Sequence, residues 1–133
     1  MKKYILNRIC LNVNECDVIN YELNFFIFSH TLFLCRAGKD DKGFAMYIDR
    51  QRSWFQHNSV HERRVEGGIS SGSTIGILLD LEKHTLSFLV NEMPQGSVAF
   101  RDLYGVFYPA VSINRGVTLT LHTALDAPRL DFA

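Results

Sequence analysis

Residues 72–123 read GSTIGILLDLEKHTLSFLVNEMPQGSVAFRDLYGVFYPAVSINRGVTLTLHT. Apolar residues alternate with polar or small ones, and short turn signals break the pattern, as in half-buried antiparallel strands. Thr74 to Leu81 predicts one strand, with Ile75, Ile77, Leu79 and Leu81 on its inner face. Glu82-Lys83-His84 turns the chain, and Thr85 to Asn91 returns with Leu86, Phe88 and Val90 inward. Asn91 to Gly96 is a second turn, because Pro94 cannot donate to a ladder and Gly96 permits positive φ. Val98 to Phe100 is a short strand. Val106 to Ile113 and Val117 to His122 then predict a hairpin around Asn114-Arg115-Gly116.

Upstream the same style holds back to Ala37. After the turn GKDDKG, Phe44, Met46 and Ile48 alternate with Ala45, Tyr47 and Asp49, which predicts a strand. Ser53 to Gln56 is a shorter one and carries the only tryptophan, Trp54. Residues 57–68, HNSVHERRVEGG, are polar, charged and without a period, so they read as an exposed loop. Short strands at this spacing, with polar turns, predict an all-β fold, an antiparallel β-sandwich.

Residues 1–36 are written differently. They hold all three cysteines and five asparagines, whereas all nine glycines lie beyond them. They show no clean helix or strand period. The run FFIFSHTLFLCR, residues 25–36, uses residues that pyrimidine-rich codons can encode, and Cys-Arg can be encoded by TGC-AGG. A pyrimidine tract followed by CAG-G resembles the end of an intron. Residues 1–36 are therefore expected to be translated intron or an alternative exon, joined to a coding exon at Ala37; a divergent coding segment is the alternative. Residues 127–133 read as a tail.

With 133 residues the chain holds one domain at most. Lys+Arg and Asp+Glu balance at 14 each, so there is no net field to attract nucleic acid or anionic lipid. The pairs Arg50/Arg52 and Arg63/Arg64 have Asp49, Glu62 and Glu66 beside them. Three cysteines without a C-x-x-C pair indicate neither a disulfide framework nor a zinc knuckle. The apolar run Leu23 to Leu34 falls short of the roughly 20 residues that span a bilayer. Acidic residues before it argue against a secretory signal. The expectation is a cytoplasmic protein with no membrane partner and no nucleic-acid partner.

LLDLEKHTLSFLVN (Leu78 to Asn91) and FYPAVS (Phe107 to Ser112) resemble a SPRY domain, a concanavalin-like sandwich. Gly76, Leu79, Asp80, Leu86, Ser87, Phe88, Asn91, Phe100, Tyr108, Pro109, Ala110 and Val111 carry the likeness. Asp80 closes a strand where its carboxylate can accept turn amides. Asn91 begins a turn where a side-chain amide can replace a backbone partner. Pro109 suits an edge or a bulge. Over Gly38 to Asp126 the chain is similar to the SPRY domain of the COS-box class of tripartite-motif E3 ubiquitin ligases, a neuronal and cytoskeletal group, with insect members nearest.

In that family a RING finger, B-boxes and an oligomerising coiled coil precede the SPRY domain. The resemblance implies the later part of that domain, residues 37–126, with its earlier strands missing. Such a half-sandwich leaves apolar faces and strand edges uncovered, so the chain is expected to be marginally stable or aggregation-prone. Unpaired cysteines cannot form a RING, so no ligase chemistry is expected within the chain.

Candidate chemistry is sparse. His57, His61 and Glu62 have a spacing that suits a metal only on a helix, which this segment does not predict. No GxSxG turn surrounds a serine, and Gly67-Gly68 with Gly72 lack the lysine and helix of a phosphate loop. No catalytic residue, metal or cofactor is expected. The favoured role is binding a protein or peptide through loops at one sandwich edge. The contact residues expected are Gln56, His57, Asn58, His61, Arg63 and Arg64, with Tyr104, Asn114 and Arg115 from later turns; arginines and aromatics are the usual anchors. The alternative is a lectin-like site for a glycan or small ligand, for which a cleft rich in aromatic and amide side chains would speak.

Overall fold

The pattern that predicts strands in the sequence becomes ten of them in a computed structural model of the chain, which describes residues 4–13, 22–28, 43–113 and 117–123. They are β1 (Tyr4–Val13), β2 (Leu23–Phe28), β3 (Gly43–Ile48), β4 (Arg52–His57), β5 (Val60–Glu66), β6 (Thr74–Asp80), β7 (Thr85–Val90), β8 (Met93–Pro94), β9 (Tyr108–Ser112) and β10 (Val117–His122). They form two five-stranded sheets, β10-β1-β6-β7-β8 and β5-β4-β3-β2-β9. Every pairing with a described register is antiparallel. The two sheets fall in two compact units, one built around residues 71–104 and the other around residues 14–70.

In the first unit, β6 and β7 pair from Ile75↔Val90 to Asp80↔Thr85. Opposite residues share a face, so Ile75, Ile77, Leu79, Leu86, Phe88 and Val90 line one side, as the alternation requires. All five residues from Ile75 to Leu79, and all five from Thr85 to Leu89, are buried. Leu81 departs from expectation. It lies past the strand end, in the turn, and is 43% exposed. The turn itself is fixed as the sequence suggests, with Asp80 Oδ1 accepting the amides of Glu82 at 2.9 Å and Lys83 at 2.8 Å. Asn91 Oδ1 accepts the Thr74 amide at 3.0 Å and ties the next turn to the start of β6. Gly76 faces Leu89, and a Cβ there would meet that side chain at 3.1 Å.

In the second unit, Leu23, Phe25, Ile27, Met46, Ile48 and Phe55 share one face of β2, β3 and β4 and are buried. The β3–β4 turn is stapled twice. Asp49 Oδ1 accepts the Gln51 and Arg52 amides at 2.7 and 2.9 Å, and its Oδ2 accepts the Tyr47 hydroxyl at 2.8 Å. The chain after β5 then crosses this turn, with Gly67 N donating to Gln51 O and Ile69 N to Asp49 O. A Cβ on Gly68 would lie 1.8 Å from Asp49 O, so only glycine allows that crossing.

Four further expectations change. Residues 57–68 are not a loop, since 60–66 form β5, the edge of the second sheet. β9 and β10 are strands as read but not a hairpin, because β9 pairs with β2 and β10 sits beside β1 in the other sheet. Alternation identifies strands but does not choose their partners. Residues 4–13 and 23–28, where no period was legible, are strands with registered partners in β6, β3 and β9. Val98 to Phe100 contributes only the isolated bridge between Leu86 and Phe100.

Candidate functional site

Most of the expected contact residues fall on one device, the β4–β5 hairpin. Its two-residue turn, Asn58-Ser59, has φ of 51° and 63°, the left-handed pair of a type I′ turn whose twist suits adjoining strands. Pairing runs His57↔Val60, Gln56↔His61 and Phe55↔Glu62, then resumes at Ser53↔Val65. Arg63 and Arg64 therefore both stand opposite Trp54. This is a β-bulge, with Arg63 in the left-handed region at φ 54°. A bulge next to charged side chains also makes a poor template for edge-to-edge strand addition.

The side chains sort by face. On one face Trp54 stacks between Tyr47, with centroids 4.2 Å apart and 12° between planes, and His61, at 4.9 Å and 19°. The Arg52 guanidinium lies 5.9 Å from the Trp54 ring and its Nε is 3.5 Å from Asp49 Oδ2. Trp54 Nε1 donates to Gln56 Oε1 at 3.3 Å, and Gln56 Nε2 donates to Asn24 Oδ1 at 3.1 Å. On the other face the Arg63 guanidinium sits 4.8 Å over the ring of buried Phe55, and His57 stacks on Phe44 at 4.1 Å while its Nδ1 donates to Gly43 O at 2.8 Å. Arg64 Nε pairs with Glu66 Oε1 at 2.9 Å, in the open.

Burial shifts both groups of the Tyr47–Asp49 pair in the same way, but their hydrogen bond divides them. Burial raises the Tyr47 hydroxyl pKa, and donating to the Asp49 carboxylate raises it further. Burial also pushes the Asp49 carboxyl up, yet the Gln51 amide, the Tyr47 hydroxyl, the Arg52 amide and the Arg52 charge together hold it below its ordinary 3.8. The pair fixes the aromatic layer and leaves Asp49 ionised.

The expected residues that the structure describes can now be placed. Asn58, His61, Arg63 and Arg64 are exposed on the hairpin. His57 is half-buried, and Gln56 is 5% exposed with its amide spent inside the sheet. His57 and His61 lie on opposite faces, because their partners Val60 and Gln56 do, so they cannot share a metal ion. Tyr104 belongs to the other unit, 68% exposed and stacked on His84 at 4.0 Å. Asn114 and Arg115 lie outside the described residues. Sequence reasoning missed the roles of Tyr47 and Arg52 in the Trp54 layer; the register signal would have been a Tyr and a Trp equidistant from the Asp49–Arg52 turn.

Comparison with known proteins fits this architecture. The family profile described as the SPRY domain matches residues 18–126. The match extends upstream of Ala37, the boundary that composition suggested. Over 95 residues the chain is 87% identical to E3 ubiquitin-protein ligase TRIM9 of Drosophila melanogaster, which takes in 71% of this chain and 13% of that ligase. The chain thus spans 13% of the length of this curated relative. Among solved structures, the TRIM65 PSpry domain superposes with a TM-score of 0.64 at 20% identity, covering 90% of this chain and 62% of that one. The SPRY domain of human HERC1 gives 0.63 at 16% identity, covering 92% and 74%. At such identities the likeness is one of fold.

Proposed function

This chain belongs to the SPRY domain family, and on that premise we propose that it binds a protein or peptide partner without chemistry of its own, recruiting that partner to a tripartite-motif ligase. The observation that carries the reading is the β4–β5 hairpin. Buried Phe55 anchors it, while all seven residues of β5 are exposed, two arginines among them. Arginine beside aromatic rings is the composition of interface anchors. A rigid turn and bulge hold these side chains in place, which lowers the entropy lost on binding. Asn58, His61, Arg63 and Arg64 would touch the partner, with Trp54 behind them. Cytoplasmic work belongs to the same proposal; among the described residues no helix is long and apolar enough to cross a membrane.

The glycan reading gains little from the geometry. A sugar site needs amides free to bond hydroxyls, and here Gln56 is bonded to Asn24 and Trp54. The test is a displayed peptide library selected on the 133-residue chain. Arg63→Ala with Arg64→Ala is expected to weaken the selected peptides at least tenfold with an unchanged far-UV spectrum. Equal binding by the double variant would move the site off the hairpin.

The origin of residues 1–36 has its own test. A family match that begins at residue 18 supports a divergent coding segment. Transcript reads through Arg36–Ala37, with matching peptides by mass spectrometry, would sustain that. Reads joining another exon directly to Ala37 would restore the translated-intron reading.

A further inference from the structure

The first unit holds a groove of about 390 Å³ that the hairpin reading does not use, lined by Leu78, Asp80, Lys83, Thr85, Ser87, Val98 and Arg101. Its floor follows from register. Leu78↔Ser87 and Asp80↔Thr85 are opposite pairs, so these four side chains share the face of β6–β7 that Phe88 does not. Its far wall is the segment 98–103, which backbone hydrogen bonds hold in place. Leu86 N donates to Phe100 O at 2.9 Å, Ala99 N donates to Leu86 O at 2.9 Å, and Leu103 N donates to His84 O at 3.0 Å. Just beyond this segment the Tyr104 ring stacks on His84.

The polar groups in this groove are unspent. Thr85 and Ser87 are only 6% and 3% exposed, yet neither hydroxyl has a protein partner among the described residues. Neither hydroxyl is among the buried atoms left without a partner, so both open onto the groove, where water or a ligand can bond them. Lys83 and Arg101 stand exposed at the rim, and neither makes an ion pair among the described residues. Asp80 is the one acid in the lining, and its Oδ1 is committed to the turn amides. Glu82 and Asp102 flank the rim and are exposed. With acids this close, the local field does not favour a multiply charged anion, and a single carboxylate held by direct contact fits better.

We propose that the groove binds a carboxylate carried by a peptide segment of a partner protein. Arg101 would grip the carboxylate through its planar fork, with Lys83 as a second cation. The Thr85 and Ser87 hydroxyls and the free oxygen of Asp80 are placed to meet the peptide's backbone amides. Leu78 and Val98 supply the apolar contact. The site is independent of the β4–β5 hairpin.

The experiment titrates the ¹⁵N-labelled 133-residue chain with acetyl-Ala-Glu-Ala-amide, with its Gln counterpart, and with acetyl-Ala-Ala-Ala bearing a free C-terminal carboxylate. Shifts at the Lys83, Thr85, Ser87 and Arg101 amides are expected with a carboxylate peptide and not with the Gln peptide. The two acidic peptides tell a side-chain carboxylate from a chain terminus, and shifts with either support the proposal. Arg101→Gln is expected to weaken binding roughly tenfold, a loss typical for a hydrogen bond to a charged group. The rest of its spectrum should stay unchanged. Arg63→Ala with Arg64→Ala should leave these shifts intact, which separates this site from the hairpin. A Gln-peptide response equal to that of the better-binding carboxylate peptide, no response to any peptide at millimolar concentration, or full binding by Arg101→Gln would overturn the proposal.

Discussion

The β6–β7 and β4–β5 hairpins are built from the same device, two antiparallel strands joined by a tight turn, and they spend their side chains in opposite ways. TIGILLD and TLSFLV bury both faces, while VHERRVE buries none of its residues. The first hairpin has a strand on each side, β1 and β8, whereas β5 is an edge. A central strand can be apolar on both faces because neighbours satisfy its backbone and cover its side chains. An edge strand must stay charged or irregular to avoid pairing with another chain, and in β5 those charges are exposed. Stability is therefore concentrated in one hairpin, and the recognition proposed above falls on the other.

Matched truncations on the two hairpins give the largest effect. Phe88 is 1% exposed, and Phe88→Ala is expected to cost about 3–5 kcal/mol, the range for large-to-small changes in a packed core. Val65 is 41% exposed on β5, and Val65→Ala should stay within about 0.5 kcal/mol. Urea midpoints at constant m-value measure both. Comparable losses would mean that β5 is covered in solution, and the contrast between the hairpins would fail.

The Asp49 turn lies between these extremes, since it braces the exposed hairpin from beneath. Asp49→Ala removes the acceptor of three hydrogen bonds at a residue 9% exposed, for a loss of about 2 kcal/mol. The pH dependence follows from the direction of its shift. Its folded carboxyl ionises more readily than in the unfolded chain, so its contribution is complete above the ordinary 3.8 and is lost as pH falls below that value. Tyr47→Phe withdraws one donor, which should raise the Asp49 pKa and shrink that acid-side loss. Carboxyl ¹³C titration of Asp49 in both chains reads the change, and identical curves would remove Tyr47 from the network.

How much of this was legible depends on whether a residue acts locally. Asp80 and Pro109 were readable because each serves its own turn or edge, and the structure shows Asp80 taking turn amides and Pro109 on edge strand β9; Asn91 was readable only as a turn residue, since its acceptor reaches back to Thr74 N at the start of β6. β5 was not readable as a strand, because the bulge opposite Trp54 breaks its period and an edge needs no apolar face. β2 was hidden for the opposite reason. Flanked by β3 and β9, LNFFIF is apolar on both faces apart from Asn24, so there was no clean alternation to see. The Tyr47-Trp54-His61 stack needs the register of three strands, and the groove needs a wall from 98–103 that is not a strand. Long-range pairing carries no local signature.

The smallest effect has the opposite sign and tests whether the recognition hairpin carries strain. Ser59 holds φ at 63° with a side chain that disfavours it, and its partner in the turn is Asn58 at 51°. Ser59→Gly would give Asn-Gly, the preferred pair for a type I′ turn, at a position that is already exposed. Relief of the left-handed strain works against the added freedom of glycine in the unfolded chain, so the net gain should be about 0.5 kcal/mol. The same change at Phe88's hairpin has no counterpart, since its turn is held by Asp80 and not by a primed pair. A higher urea midpoint for Ser59→Gly, with partner peptides bound as before, would show that the turn is a stiff mount for Arg63 and Arg64. A lower midpoint would mean that the Ser59 side chain itself holds the turn, and the hairpin's rigidity would then have to be traced to the bulge.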